Sequence, residues 1–166
     1  MDNVANFCPV CGTATEQHER YGRLRPICPQ CGHIVFFAPS VAVLVLMTNN
    51  DQILLVKRKL DPARGLWVCP AGFMDADENP RDAARREVRE ETGLDVDDLQ
   101  LLEVFGRMDD GGKADLVLAF RATIMGGTLK PGDDAEEAAW FTKDALPELA
   151  FAPTKIVVRY WATGQW

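Results

Sequence analysis

The sequence predicts an α/β (α+β) sandwich, with strands flanked by two main helices, behind a small cysteine-bearing segment. Three observations carry this. Apolar runs over 41–47, 53–58, 101–108 and 116–124 have strand length and are bounded by turn residues. A capped stretch over 80–92 and an amphipathic one over 153–163 supply the helices, and two helices for that many strands describe a sandwich rather than a doubly wound sheet. Two matched Cys-x-x-Cys pairs lie in the first 38 residues. With 166 residues and 47% hydrophobic content, the chain can bury one ordinary core and carry an appendage.

In chain order, residues 1–38 hold Cys8, Cys11, Cys28 and Cys31, each pair followed by Gly, which turns the backbone tightly enough for both thiolates to face one ion. Four thiolates so spaced suit tetrahedral Zn²⁺ with no open position, so this segment reads as a structural zinc ribbon whose folding energy comes largely from the metal. A redox Cys-x-x-Cys fits poorly, because there are two pairs with a Pro inside each. His18 and His33 read as bystanders. Arg20, Arg23 and Arg25 are balanced by Asp2, Glu16 and Glu19, so a folding or dimerisation module is expected rather than a nucleic-acid surface.

Ala38-Pro39-Ser40 is the expected junction into a second domain over 39–166. Residues 41–47 and 53–58 form a predicted hairpin around a 48–51 turn. Lys57, Arg58, Lys59 and Arg64 then cluster, and Arg58 and Arg64, with Arg107 further on, are candidate contacts for an anionic substrate. Residues 65–72 read as a short strand entering a Pro/Gly turn, with Cys69 a buried small hydrophobe.

Asn79 suits an N-cap, Pro80 the first helical position and Gly93 the residue past the last turn, so 80–92 is a helix of about three turns. Glu87, Glu90 and Glu91 occupy one arc of roughly 100° on it, beside Ala84 and Val88. Arg81, Arg85 and Arg86 come early and the glutamates late, against the macrodipole. Carboxylates crowded at the edge of a core face call for a hard divalent cation, Mg²⁺ or Mn²⁺. Strands over 101–108 and 116–124, a Gly/Asp loop over 126–134, a strand over 136–141, a short helix over 143–149 and the closing helix complete the chain.

The formal charge of -7 and pI near 4.8 exclude avid non-specific binding to nucleic acid or an anionic membrane. Five cysteines, with Cys69 left over, fit a reducing compartment. No basic-then-apolar leader and no uncharged run of about 18 residues is present, so a soluble cytoplasmic protein is expected.

Gly72, Glu78, Arg86-Glu87-Val88, Glu90-Glu91 and Gly93-Leu94, at their spacing, resemble the Nudix box without a departure. The likeness runs from Val41 to about Trp161 and includes the 137–141 stretch. With the four-cysteine segment in front, the chain looks like the zinc-ribbon Nudix hydrolases whose relatives include ADP-ribose and FAD pyrophosphatases. The resemblance implies a Nudix-type α/β/α sandwich with a mixed sheet. It also implies divalent-metal-dependent hydrolysis of a nucleoside diphosphate linked to a group X, and a homodimer.

Carried over by position, Glu87, Glu90, Glu91 and the Gly72 carbonyl become Mg²⁺ or Mn²⁺ ligands, Arg86 holds the carboxylates, and Glu78 supports the loop-helix geometry. A further carboxylate that activates water is sought at Glu137 or Glu136, with Asp133 and Asp134 behind them. The Ser-Gln-Pro-Trp-Pro-Phe-Pro-like array of NADH pyrophosphatases is missing, Asp110 stands where one ADP-ribose group has proline, and the tyrosine of dinucleoside polyphosphate hydrolases is absent. ADP-ribose, FAD or a similar dinucleotide is the expected substrate, with NADH, NAD-cap or nucleotide-sanitising pyrophosphatase as the alternative. A ligand-sensing Nudix module with a nucleic-acid-binding zinc ribbon is the competing class; it usually tolerates a degraded box, and here the box is intact.

Overall fold

The computed structural model describes residues 4–165, so Asp2 lies outside the described residues. The chain divides into two compact units, Met1–Ala38 and Pro39–Trp166.

In the first unit, strands β1 (Glu16–Arg20) and β2 (Arg23–Ile27) form an antiparallel hairpin that turns at Tyr21 and Gly22, both at positive φ. No strand is predicted there, because a Glu/Arg-rich ribbon exposed along most of its length carries no apolar alternation. The two cysteine turns that flank the hairpin repeat one another. Gly12 N donates to Cys8 O and Gly32 N to Cys28 O, both at 2.9 Å, with each glycine at positive φ.

The second unit is a mixed sheet between two helices. Strand β3 (Val41–Asn49) runs parallel to β8 (Leu116–Gly127), which pairs antiparallel with β7 (Leu94–Gly106). Strand β4 (Gln52–Arg58) pairs with β5 (Trp67–Val68) and β9 (Ala135–Thr142). The hairpin of β3 and β4 is real but short: only Thr48↔Ile53 and Asn49↔Gln52 pair before the strands part, and β6 (Ala71–Phe73) joins β3 beyond them.

Strand β3 reads as an unbroken apolar run because both its faces are covered. Val43, Val45 and Met47 pack with Ala83, Ala84 and Val88 of helix α1 (Pro80–Thr92), whereas Leu44 and Leu46 pack with Val157 and Val158 of α2 (Ala152–Thr163).

Helix α1 keeps its predicted limits for local reasons. Asn79 Oδ1 accepts from Arg81 N at 2.9 Å, Pro80 opens the first turn, and Gly93 stops the helix at φ 69° with its N–H on Arg89 O. Two of the early arginines that oppose the macrodipole are held by β7, Arg85 on Asp97 at 2.7 Å and Arg81 Nε on Leu99 O at 3.3 Å, and Arg89 in the last turn reaches Asp95. Strand β7 therefore begins at Leu94 rather than near 101. Its acid-rich start looks like a loop in sequence, and its bulges around 95–103 hide the alternation.

The short helix predicted over 143–149 does not form. Pro147 lacks the N–H a helix needs, and the chain is drawn alongside β5 instead: Trp67 N donates to Glu148 O at 3.0 Å and Ala150 N to Trp67 O at 2.9 Å. No helix of the described residues is long and apolar enough to cross a membrane.

Candidate active site

Arg86 organises the site. Its Nε and one terminal nitrogen clasp both oxygens of Glu78 at 2.8 Å, and that second nitrogen also donates to Phe73 O at 3.0 Å. The remaining nitrogen reaches Glu87 Oε1 at 2.6 Å and Glu90 Oε2 at 3.1 Å. One guanidinium thus ties the 73–78 loop to two carboxylates of α1. The two-pronged grip on Glu78 is geometry that a lysine could not reproduce. It holds the Glu78 carboxyl below its usual range and raises the already high pKa of Arg86.

Glu87 and Glu91 are buried, at 7% and 3% exposure. Burial pushes the Glu87 carboxyl up, and Arg86 opposes that shift. Glu91 is pushed well above the ordinary carboxylate range, first by burial and then by Asp134; only the Ala71 amide, 3.0 Å away, is a favourable partner. Two carboxylates at the foot of one helix therefore share too little positive charge. The set is all oxygen, so it fits a hard divalent cation. In this arrangement the box carboxylates are not drawn onto one point: Arg86 holds Glu87 and Glu90, while Glu91 faces Ala71 N and Asp134.

Gly72 is required by space. A Cβ on it would fall inside the Glu87 carboxylate, so any side chain there must displace that carboxylate. Gly72→Ala is expected to cut kcat by about 10²-fold through displacement of Glu87, with little loss of thermal stability. A kcat within twofold of wild type would remove that close approach from the site's requirements.

The loop after β8 closes the other end. Lys130 N donates to Thr92 O at 2.9 Å and Gly132 N to Glu91 O at 3.1 Å, satisfying carbonyls that α1 would otherwise leave open. This strap offsets the cost of late glutamates at a helix C-terminus and carries Asp134 to Glu91. The sequence ranks Glu137 ahead of Asp134 as the later carboxylate, but Glu137 lies opposite Lys57 in the β4/β9 register and pairs with it at 2.7 Å. The distinguishing signal is position: Asp134 precedes β9 and Glu137 lies within it.

Of the three candidate substrate arginines, Arg58 lines a cavity of about 150 Å³ whose floor includes Gly72 and Phe73. Arg64 is exposed and Arg107 pairs with Asp115 at 2.7 Å; neither lines the cavity. Of the aromatic residues on neighbouring strands, Phe73 lines it, whereas Phe105 is buried in the α2-side core and Trp67 packs edge-on against Phe141.

In the first unit the Cys8, Cys11, Cys28 and Cys31 sulfurs all lie within 4.8 Å of one another. Their closest separations, 3.4 to 3.6 Å, are far beyond a disulfide bond of about 2.05 Å. They approach the edge of about 3.8 Å that tetrahedral Zn–S bonds of about 2.3 Å produce.

A family model for the NUDIX domain matches residues 38–161. The chain belongs to the Nudix family. A Nudix hydrolase from Nitrosomonas europaea has a similar crystal structure, with TM-score 0.80 and 29% identity over 95% of this chain and 90% of that one. Among Nudix relatives of similar sequence, the ADP-ribose pyrophosphatase of Methanocaldococcus jannaschii is 38% identical over 133 residues, 78% of this chain and 79% of that protein. The NAD-capped RNA hydrolase NudC of Pseudomonas aeruginosa is 37% identical over 147 residues, 86% of this chain, which spans half the length of that relative. The chain is a Nudix hydrolase, a family that uses divalent metals, and its fold is the mixed-sheet sandwich expected.

Proposed function

We propose that the chain hydrolyses the phosphoanhydride of a nucleoside diphosphate linked to X, with ADP-ribose, FAD or a similar dinucleotide preferred. The observation that carries this reading is the pair of buried carboxylates, Glu87 and Glu91, beside the more exposed Glu90, with Arg86 on Glu87 and Glu90 and the bare Gly72 backbone against Glu87. Glu87, Glu90, Glu91 and the Gly72 carbonyl would hold Mg²⁺ or Mn²⁺. Such ions, when bound, neutralise the diphosphate and polarise its oxygens as charge develops on the leaving phosphate.

The chain's own groups do the rest. Arg86 and Glu78 fix the carboxylates, and Arg58 faces the substrate's anionic or planar end. Asp134, rather than Glu137, orients water and accepts its proton, supported by its contact with Glu91. Residues 1–38 form a structural zinc ribbon ahead of a hydrolase domain over 39–166. Homodimerisation follows the family resemblance, and five unpaired cysteines fit the reducing cytoplasm.

Likeness to the NudC enzymes supports a second reading, cleavage of NADH or an NAD cap. Incubation with Mg²⁺ or Mn²⁺ and ADP-ribose, FAD, NADH, NAD-capped RNA and nucleoside triphosphates, with products identified by mass, decides between them. AMP released from ADP-ribose or FAD at the highest kcat/KM supports the first reading. Preference for NADH or capped RNA supports the second, and tight DNA binding with no hydrolysis overturns both.

A further inference from the structure

We propose that the Arg58–Phe151 pair is the wall against which the planar base of the substrate stacks, and that Asp110 is the positioning residue that holds Phe151 there. This deepens the reading of the chain as a nucleotide hydrolase and rests on it.

The cavity beside Gly72 has two sides that the sequence keeps about forty residues apart. One side is the 106–114 loop, contributing Met108, Asp110 and Gly112; the other is Phe151 at the start of α2, with Arg58 beside it. Asp110 joins them. Its Oδ2 accepts from Ala152 N at 2.5 Å and its Oδ1 from Gly112 N at 3.0 Å, so one carboxylate clips the loop to the first residue of α2. The loop's far end is fixed separately, where Asp115 accepts from Ser40 N and Oγ at 2.9 Å.

Phe151 sits in a backbone conformation that side chains avoid, φ 53° and ψ 139°, with no side chain of its own to cap the helix. That conformation persists because its neighbours over-determine it: Ala150 N is held by Trp67 O, Ala152 N by Asp110 and Lys155 N by Phe151 O. An unfavoured backbone kept at a cavity edge points to a requirement for the side chain's position. The Phe151 ring lies 5.2 Å from the Arg58 guanidinium, whose Nε is itself fixed on Pro62 O at 2.8 Å. The result is a rigid planar cation on an aromatic ring, a surface on which any base can extend the stack.

Size and chemistry agree. A cavity of about 150 Å³ is too small for a whole dinucleotide but comparable to one that holds a single aromatic ring in a protein interior. Val68 and Val117 give it apolar walls, suited to a base rather than a sugar. Its floor strand touches the carboxylate site, since Ala71 and Gly72 contact Glu91 and Glu87 on α1. A base seated here leaves the diphosphate on the acidic side.

Calorimetric titration of the full-length protein in Mg²⁺ with AMP and, separately, ribose 5-phosphate tests this without turnover. Wild type should prefer AMP by about ten-fold or more, the contribution of one stacked base. Phe151→Leu and Arg58→Lys should each reduce that preference to about threefold or less, Phe151→Trp should keep it, and Asp110→Asn, which can accept only one of the two bonds, should fall between. Equal affinity of wild type for the two ligands, or an AMP preference unchanged in both Phe151→Leu and Arg58→Lys, overturns the proposal. Failure of wild type to hydrolyse ADP-ribose, FAD or NADH would instead overturn the hydrolase reading, since the binding comparison does not depend on catalysis.

Discussion

Glu91→Gln is expected to lower turnover by about 10³-fold or more in Mg²⁺, a loss of about 4 kcal/mol of transition-state stabilisation, while making the metal-free protein more heat-stable. The two effects share one cause. Glu91 is 3% exposed, is repelled by Asp134 and Glu87, and has the Ala71 amide as its favourable partner. A glutamine keeps that amide bond through its oxygen, offers an N–H to Asp134, and removes the buried charge. A rise of a few degrees in the metal-free Tm is the expected size for relief of about 1 kcal/mol.

The pH dependence follows with a definite sign. An acid whose pKa is raised by folding is ionised earlier in the unfolded chain, so the unfolded state binds fewer protons and stability falls as pH climbs. For the metal-free wild type this loss begins above the ordinary glutamate range and continues up to the raised Glu91 value; Glu91→Gln should flatten it. Added Mg²⁺ should restore more stability to wild type than to the variant, because the cation binds the ionised set. A variant with near-wild-type kcat would remove Glu91 from the metal ligands. A lower metal-free Tm than wild type would refute the repulsion account.

The parts of this site that are legible in the sequence are those made by near neighbours. Asn79, Pro80 and Gly93 set the helix by local capping, and the helix then places Glu87, Glu90 and Glu91 on one arc without help from the rest of the chain. Val41 through Met47 shows as a strand because both faces are buried, though its apolar letters alone do not reveal that Val43 faces α1 and Leu44 faces α2.

What stays hidden depends on distant chain. Asp95 and Asp97 look like loop residues until Arg89 and Arg85 are seen to hold them in β7. Residues 143–149 have helix-forming letters but are interrupted at Pro147, and their end at Glu148 and Leu149 is claimed by β5. Asp134 and Glu137 are indistinguishable as acidic residues; the strap over the end of α1 separates them by bringing one to Glu91 and leaving the other to Lys57. Asp110, a departure from one subgroup's proline, proves to be the cap of a helix that begins at Ala152.

Removal of metal from the four-sulfur site is expected to unfold the first unit outright. That unit has almost no core apart from its ligands: Cys8 and Cys28 are buried at 3% and 1% exposure, whereas Phe7, Tyr21, Leu24 and Phe36 are all more than half exposed. A hairpin of two five-residue strands is not stable alone in water, so an ion on the four sulfurs would supply its order. Structural zinc in small modules contributes about 10–16 kcal/mol, more than such a unit can otherwise gather. The purified chain should therefore carry one zinc by atomic emission. A strong chelator, or Cys28→Ser, should open the hairpin to trypsin at Arg20 and Arg23. The transition of the second unit should persist, since its core of Val43, Val88, Phe120 and Val157 lies wholly within 39–166. A hairpin that resists trypsin after the metal is gone would show that the exposed aromatic residues, not the thiolates, hold the unit together, and would transfer its stability to a surface such as the Tyr21–Phe36 stack.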